Sequence, residues 1–239
     1  MKKPVKNYAK SVKTRLLNLM NSSGYKYMYL LARYFNERLL YRVSVSQYKD
    51  NFLLKGGSLL YAFNGLETRP TIDIDFMARR GTRFFLTAQM DSIVYPMSID
   101  IGFGDVVTPS PVEVDFPLLL GDIPVISIKA YSLETVVAEK FHAMIDRDVT
   151  NSRMKDFFDC YQILTTKKLD DEGLFEAIKA TFDNRGLIRN DDLRLFSNEF
   201  YTDGARLLRW KAFMKKIQWK EELSFVDVMR VITTRLEPL

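Results

Sequence analysis

The sequence predicts a mixed α/β protein, in which a short mixed sheet is flanked by helices and followed by a helical C-terminal region. Three observations predict it. Apolar residues recur at helical spacing near the start of the chain and again through its last hundred or so residues. Short segments in the middle alternate apolar and polar residues, and Pro- and Gly-punctuated stretches separate them. A length of 239 residues suits one main domain with a smaller helical extension, and a hydrophobic share of 47% supplies a large core.

Residues 5–20 carry Val5, Tyr8, Val12, Leu16, Leu17 and Leu19 at near-helical spacing, which predicts an amphipathic helix. Residues 25–41, rich in Tyr, Leu and Phe with Arg33, Glu37 and Arg38 interspersed, form a second amphipathic helix. Residues 47–54 are a short approach with an apolar end, leading into Gly56-Gly57. Ser58 is placed to cap the apolar helix of Leu59, Leu60, Tyr61, Ala62 and Phe63. Residues 71–77 alternate as a half-buried strand, whose start Pro70 restricts to an edge or first position. Residues 82–92 read as a helix and 98–103 as another strand.

From 104 to 124 the chain is dense in turn formers, with 112–116 as a short extended piece, and 125–128 closes this region as a strand. Ser132 opens a strong helix with Glu134 in its first turn and Leu133, Val136, Val137, Phe141, Met144 and Ile145 on its apolar side. Residues 146–151 break it, a second helix covers 152–164, and the polar stretch 165–168 divides a first domain, 1–168, from a helical region, 169–239. Polar turns at 183–186 and 203–204 separate the helices of that region.

Composition narrows the possible environments. No apolar run approaches the roughly 18 residues that span a bilayer, and no apolar segment follows Met1-Lys2-Lys3-Pro4, so a soluble cytoplasmic protein with no membrane partner is expected. The single cysteine, Cys160, rules out an intramolecular disulfide and suits core packing in a reducing compartment. A net charge of +5 favours polyanionic partners. The basic residues between Lys2 and Arg15, and Lys211, Lys215, Lys216 and Lys220, are either solvated helix faces or a track for nucleic acid.

The chemistry is concentrated in residues 55–76, where a glycine pair precedes two alternating carboxylates. Residues two apart on a strand share a face, so Asp73 and Asp75 present oxygen ligands side by side while Ile72, Ile74 and Phe76 turn to the core. Hard divalent cations such as Mg²⁺ take such ligands. Gly56 and Gly57 allow a backbone turn closed to other residues, and the N–H groups of the helix that follows attract a triphosphate. Phosphoryl and nucleotidyl transfer need this combination, because the protein's part is to position reactants and neutralise charge. A third carboxylate completes a two-metal arrangement. Asp100, flanked by Ile99 and Ile101, is the first candidate and Asp115 the second.

The order Gly-Gly-Ser, apolar helix, Gly-containing loop, Asp-Ile-Asp resembles the nucleotidyltransferase fold of the DNA polymerase beta superfamily. A second block, Ala138-Glu139-Lys140 followed by Lys155-Asp156-Phe157-Phe158-Asp159, is similar to the AbiEii/AbiGii family of nucleotidyltransferase-like toxins from bacterial abortive-infection and toxin–antitoxin systems. Together the blocks cover about residues 50–166. The chain carries Lys155 where many members carry arginine, which keeps the charge and loses the bidentate geometry.

The resemblance implies an Mg²⁺-dependent enzyme that transfers a nucleoside monophosphate from an NTP to an acceptor, RNA and possible tRNA among them, with a cognate antitoxin as partner. It implies Gly57 and Ser58 as phosphate contacts beside Gly56, Asp73 and Asp75 as metal ligands, Lys140 as a triphosphate contact and Asp156 as a catalytic-centre carboxylate. Asp156 acts as a base or orients Lys140; Arg147, seven residues after Lys140, can share its face. Glu139, Lys140, Arg147 and Asp156 also suit a plain surface ion-pair network. Two other readings keep the fold: a non-catalytic nucleotide- or partner-binding module, and an enzyme acting on a small-molecule or protein hydroxyl.

Overall fold

A computed structural model describes residues 7–78, 82–187 and 193–239. Contacts divide the chain into two compact units: residues 1–104 with 113–130, and residues 105–112 with 131–239. The boundary expected at 168/169 falls inside the second unit, between two of its helices.

The first unit opens with helices α1 (Tyr8–Ser23) and α2 (Tyr27–Ser44). Asn7 caps α1 by accepting from the Lys10 N–H, and Gly24 ends it in the left-handed conformation. After a 3₁₀ turn at Lys49–Asn51 come strand β1 (Leu53–Lys55), helix α3 (Gly56–Asn64) and strand β2 (Ile74–Met77). Strands β3 (Thr82–Met90), β4 (Ile93–Gly102), β5 (Val112–Phe116) and β6 (Ile126–Ala130) complete a six-stranded mixed sheet in the order β3-β4-β2-β1-β6-β5. Leu54, Ile74, Phe76, Ile99, Val114, Phe116, Ile126 and Ile128 are its buried side. Arg33 of α2 is fully buried with its guanidinium 3.4 Å from the Tyr61 ring centroid, so α2 packs on α3 through a cation–π contact.

Residues 82–92 correct the helical expectation. They form β3 and a two-residue turn, with β3 pairing antiparallel to β4 from Thr82↔Ile101 to Met90↔Ile93. Asp91 sits at φ 55°, the left-handed position that an Asp-Ser hairpin turn requires. Because β3 is an edge strand, Phe84, Phe85 and Leu86 are all exposed, and the alternation that marks a strand is missing. The strand at 98–103 likewise begins earlier, at Ile93, and runs through Pro96. The strand expected at 71–77 is shorter: β2 starts at Ile74, Asp73 lies one residue before it, and Ile72 is exposed instead of core-facing.

The second unit is helical: α4 (Leu133–Arg147), α5 (Met154–Thr166), α6 (Asp171–Arg185), α7 (Asn198–Thr202), α8 (Gly204–Ile217) and α9 (Phe225–Leu236). Ser132 caps α4 as expected, its hydroxyl accepting from the Thr135 N–H. Phe157, Phe158, Trp210 and Phe225 pack ring on ring, and Cys160 of α5 is a buried free thiol. Among the described residues no helix is long and apolar enough to cross a membrane.

Candidate functional site

In the first unit the glycine pair, the loop before β2 and three strands meet at the start of α3. Lys55 ends β1 and Gly56 begins the helix at φ +65°. A Cβ on Gly56 would stand 2.1 Å from Asp75 Oδ2, and one on Gly57 would stand 2.7 Å from Thr71 Oγ1. Both glycines are therefore required by close approach: Asp75 lies directly on the first turn of α3, where backbone N–H groups lack helical partners. Ser58 does not cap this helix, because α3 starts two residues earlier with no side-chain cap. Its hydroxyl is buried and donates to the Asp73 carbonyl at 2.9 Å.

Three further contacts fix the loop that carries Asp73. Asn36 Nδ2, buried on α2, donates to the Ile72 carbonyl at 2.7 Å. Thr71 packs on Gly57. Ser98 Oγ on β4 donates to Asp73 Oδ1 at 2.8 Å. Asn36 and Ser98 are residues that sequence reasoning missed, because nothing local marks a tie 36 or 25 residues away.

Ladder registers place a row of charged residues across four strands. Asp75 of β2 is the partner of Lys55 of β1 on one side and of Asp100 of β4 on the other, and Asp100 is the partner of Arg83 of β3. In-register partners share a face, so the row reads Lys55, Asp75, Asp100, Arg83 on one side of the sheet. Arg83 grips Asp100 bidentately, Nε to Oδ1 and Nη2 to Oδ2, the latter at 2.8 Å. Asp100, with Asp73 and Asp75 behind it, holds the guanidinium above its ordinary pKa. Asp115 lies exposed on β5, with β1 and β6 between it and β2.

The donor set fits a hard divalent cation in chemistry, since the Asp75 carboxylate lies against a helix start that only glycine leaves open and the Asp73 carboxylate lies two residues before it in the chain. Among the described residues no three His, Cys, Asp or Glu side chains form a metal-binding group, and Asp100, the first candidate for a third carboxylate, is engaged by Arg83. Replacing Gly56 with alanine is expected to cost about 1–3 kcal/mol and to displace Asp75 from the helix start. Gly65 also has positive φ but nothing within 4 Å of an added Cβ, so Gly65→Ala brings only backbone strain. Thermal unfolding with a transfer assay checks this: both variants lose stability, and only Gly56→Ala loses turnover.

In the second unit, Lys140 of α4 is clamped by two carboxylates of α5. Its Nζ lies 3.1 Å from Asp156 Oδ1 and 2.7 Å from Asp159 Oδ2. The side chains are 12% exposed for Lys140, 2% for Asp156 and 1% for Asp159, so this is a buried cluster and not a surface network. Arg153 forms an ion pair with the other Asp156 oxygen at 2.6 Å. Asp159 was missed as a site residue, although its i, i+3 spacing from Asp156 puts both on one helical face. Glu139 pairs instead with Arg185 at 3.0 Å, and Arg147 is exposed at the end of α4.

His142 points away from Lys140, edge-on to Phe182, with Nδ1 3.5 Å from Arg185 Nη1. Burial first, then the Arg185 charge, pushes its pKa below the usual 6.5. The unfolded chain then binds a proton near pH 6.5 that the folded chain resists, so this group's contribution is intact above pH 6.5 and is lost as pH falls below it. Melting at pH 7.5, 6.5 and 5.5 should show a shallower acid-side decline for His142→Gln than for wild type.

The sequence profile described as nucleotidyl transferase AbiEii toxin, type IV TA system, matches residues 38–93 and 78–230, most of the chain. The chain belongs to the AbiEii family. It is therefore a nucleotidyltransferase toxin of a type IV toxin–antitoxin system, a class that implies a nucleotide substrate and an antitoxin partner and that generally uses a divalent metal. No curated protein matches the chain. Among solved structures it resembles MenT4, a nucleotidyltransferase toxin from Mycobacterium tuberculosis H37Rv, at 15% identity and a TM-score of 0.56 over 91% of this chain and 92% of that one. That likeness places the AbiEii chain in the nucleotidyltransferase-toxin fold. JHP933 from Helicobacter pylori superposes at a TM-score of 0.41 and 15% identity, over 78% of this chain and 94% of that one.

Proposed function

We propose that this toxin uses Mg²⁺ to transfer a nucleoside monophosphate from an NTP to RNA, with tRNA the acceptor of first choice. The observation that supports it best is the Asp75 carboxylate lying against Gly56 at the start of α3, with Asp73 beside it and its loop pinned from α2, α3 and β4. A hydroxyl oxygen of the acceptor attacks the α-phosphorus and gives up its proton to solvent, the bond from that phosphorus to the α,β-bridging oxygen breaks, and pyrophosphate leaves. Asp73 and Asp75, with Asp100 as third carboxylate, would hold the metal, which when bound neutralises phosphate charge and lowers the cost of forming the nucleophile.

Gly56 and Gly57 keep the α3 N-terminus open to the donor's phosphates. Ser58, being buried, acts by fixing the Asp73 backbone and not by touching phosphate. Lys140 is the triphosphate cation. Asp156, buried and bonded to Lys140, suits holding that ammonium in place better than accepting a proton from an acceptor. The RNA acceptor draws support from the net charge of +5 and the family. Incubation with each labelled NTP, Mg²⁺ and total RNA or tRNA tests the reading: label enters RNA in wild type and not in Asp73→Asn or Asp75→Asn, whereas absence of Asp-dependent labelling with every NTP contradicts it.

A further inference from the structure

We propose that Arg83 is a donor-phosphate-binding residue that Asp100 holds in reserve until metal and nucleotide arrive. The inference rests on the nucleotidyltransferase reading of Asp73 and Asp75. Its starting point is the charged row across the sheet, in which Asp75 and Asp100 are direct partners on adjacent parallel strands. Two like charges so placed repel each other, and the row is balanced by a cation at each end, Lys55 and Arg83. Arg83 balances Asp100 with both arms of its guanidinium, in the place a divalent cation would take if Asp100 were a ligand.

Two properties suit the guanidinium to leave that place. Its side chain is 61% exposed and that of Asp100 34%, and ion pairs so open to water are held weakly. Its fork of donors matches phosphate as well as it matches carboxylate, so a triphosphate arriving with the metal offers an equivalent partner within reach of the same strand pair. With a cation bound at Asp100, the freed guanidinium would take phosphate oxygens of the donor, and the negative charge of the triphosphate would offset the extra positive charge that a divalent ion brings to the row. Without nucleotide, Arg83 competes with the cation for Asp100. A residue serving only to pair β3 with β4 would have no effect on either ligand.

Titration calorimetry with Mn²⁺ alone, and then with each of the four ribonucleoside triphosphates in Mn²⁺, separates these roles in wild type, Arg83→Gln and Arg83→Lys. Arg83→Gln should bind Mn²⁺ alone about two- to tenfold more tightly, because a competing cation is gone. The same variant should bind the preferred triphosphate about tenfold more weakly, with Arg83→Lys recovering only part of the loss because it lacks the fork. Unchanged triphosphate affinity in Arg83→Gln, or unchanged Mn²⁺ affinity, overturns the hand-over while leaving the nucleotidyltransferase reading intact. A wild-type protein that binds none of the four triphosphates in Mn²⁺ overturns both.

Discussion

Asp75→Asn is expected to lower nucleotidyl transfer by about a thousandfold or more while leaving the fold in place. Asparagine keeps the shape that Gly56 accommodates and one of the two oxygens, so the half-buried contact with α3 survives. What it removes is the charge on which both a divalent cation and the balance with Lys55 and Arg83 depend. Asp115→Asn supplies the contrast. Its carboxylate is exposed on β5, separated from β2 by the two strands β1 and β6, and its loss should leave turnover within about twofold of wild type. Pyrophosphate release measured for the two variants beside wild type checks this; equal losses would mean that general charge and not the Asp75 position matters.

Lys140→Met is expected to destabilise the protein by about 3–5 kcal/mol. The cost does not mean that the cluster is itself a strong source of stability, since burying three charges is expensive. It arises because the methionine leaves Asp156 and Asp159, both nearly inaccessible to water, without the ammonium they share. Arg153 still faces Asp156. For a chain of 239 residues this corresponds to a melting point lower by about 10 °C. Adding Asp159→Asn to Lys140→Met should restore part of the loss, because one buried charge is then neutral. A double variant no more stable than Lys140→Met would contradict the buried-charge account.

These two experiments draw on residues that the sequence exposed to different degrees. Gly56, Gly57, Asp73 and Asp75 were legible because glycine before an apolar helix and Asp-x-Asp before a core-facing Phe have few other uses in combination. Lys140 and Asp156 became visible only through the family pattern, since a lysine and an aspartate on two helices carry no local mark of a shared contact. Asp159, Asn36 and Ser98 were hidden for the same reason: each acts through a tertiary tie, to Lys140, to the Ile72 carbonyl and to the Asp73 carboxylate.

The fold was legible where one face of an element is buried. Both N-terminal helices, the Ser132-capped helix and the C-terminal helices follow the apolar spacing. The failure at 82–92 has the opposite cause. An edge strand exposing Phe84, Phe85 and Leu86 has no buried face to impose alternation, and the turn at Asp91-Ser92 lacks glycine. That misreading also hid Arg83, whose relation to Asp100 exists only once 82–90 pairs with 93–101 as a hairpin.

The central claim is nucleotidyl transfer dependent on the two aspartates before and within β2. It is tested most directly by following label from [α-³²P]NTPs into total RNA or tRNA in the presence of Mg²⁺, with wild type and the Asp73→Asn/Asp75→Asn double variant compared at equal folded concentration. The account predicts incorporation with pyrophosphate release by wild type and none by the double variant. Equal incorporation by both, or none by wild type with any of the four NTPs, would contradict it.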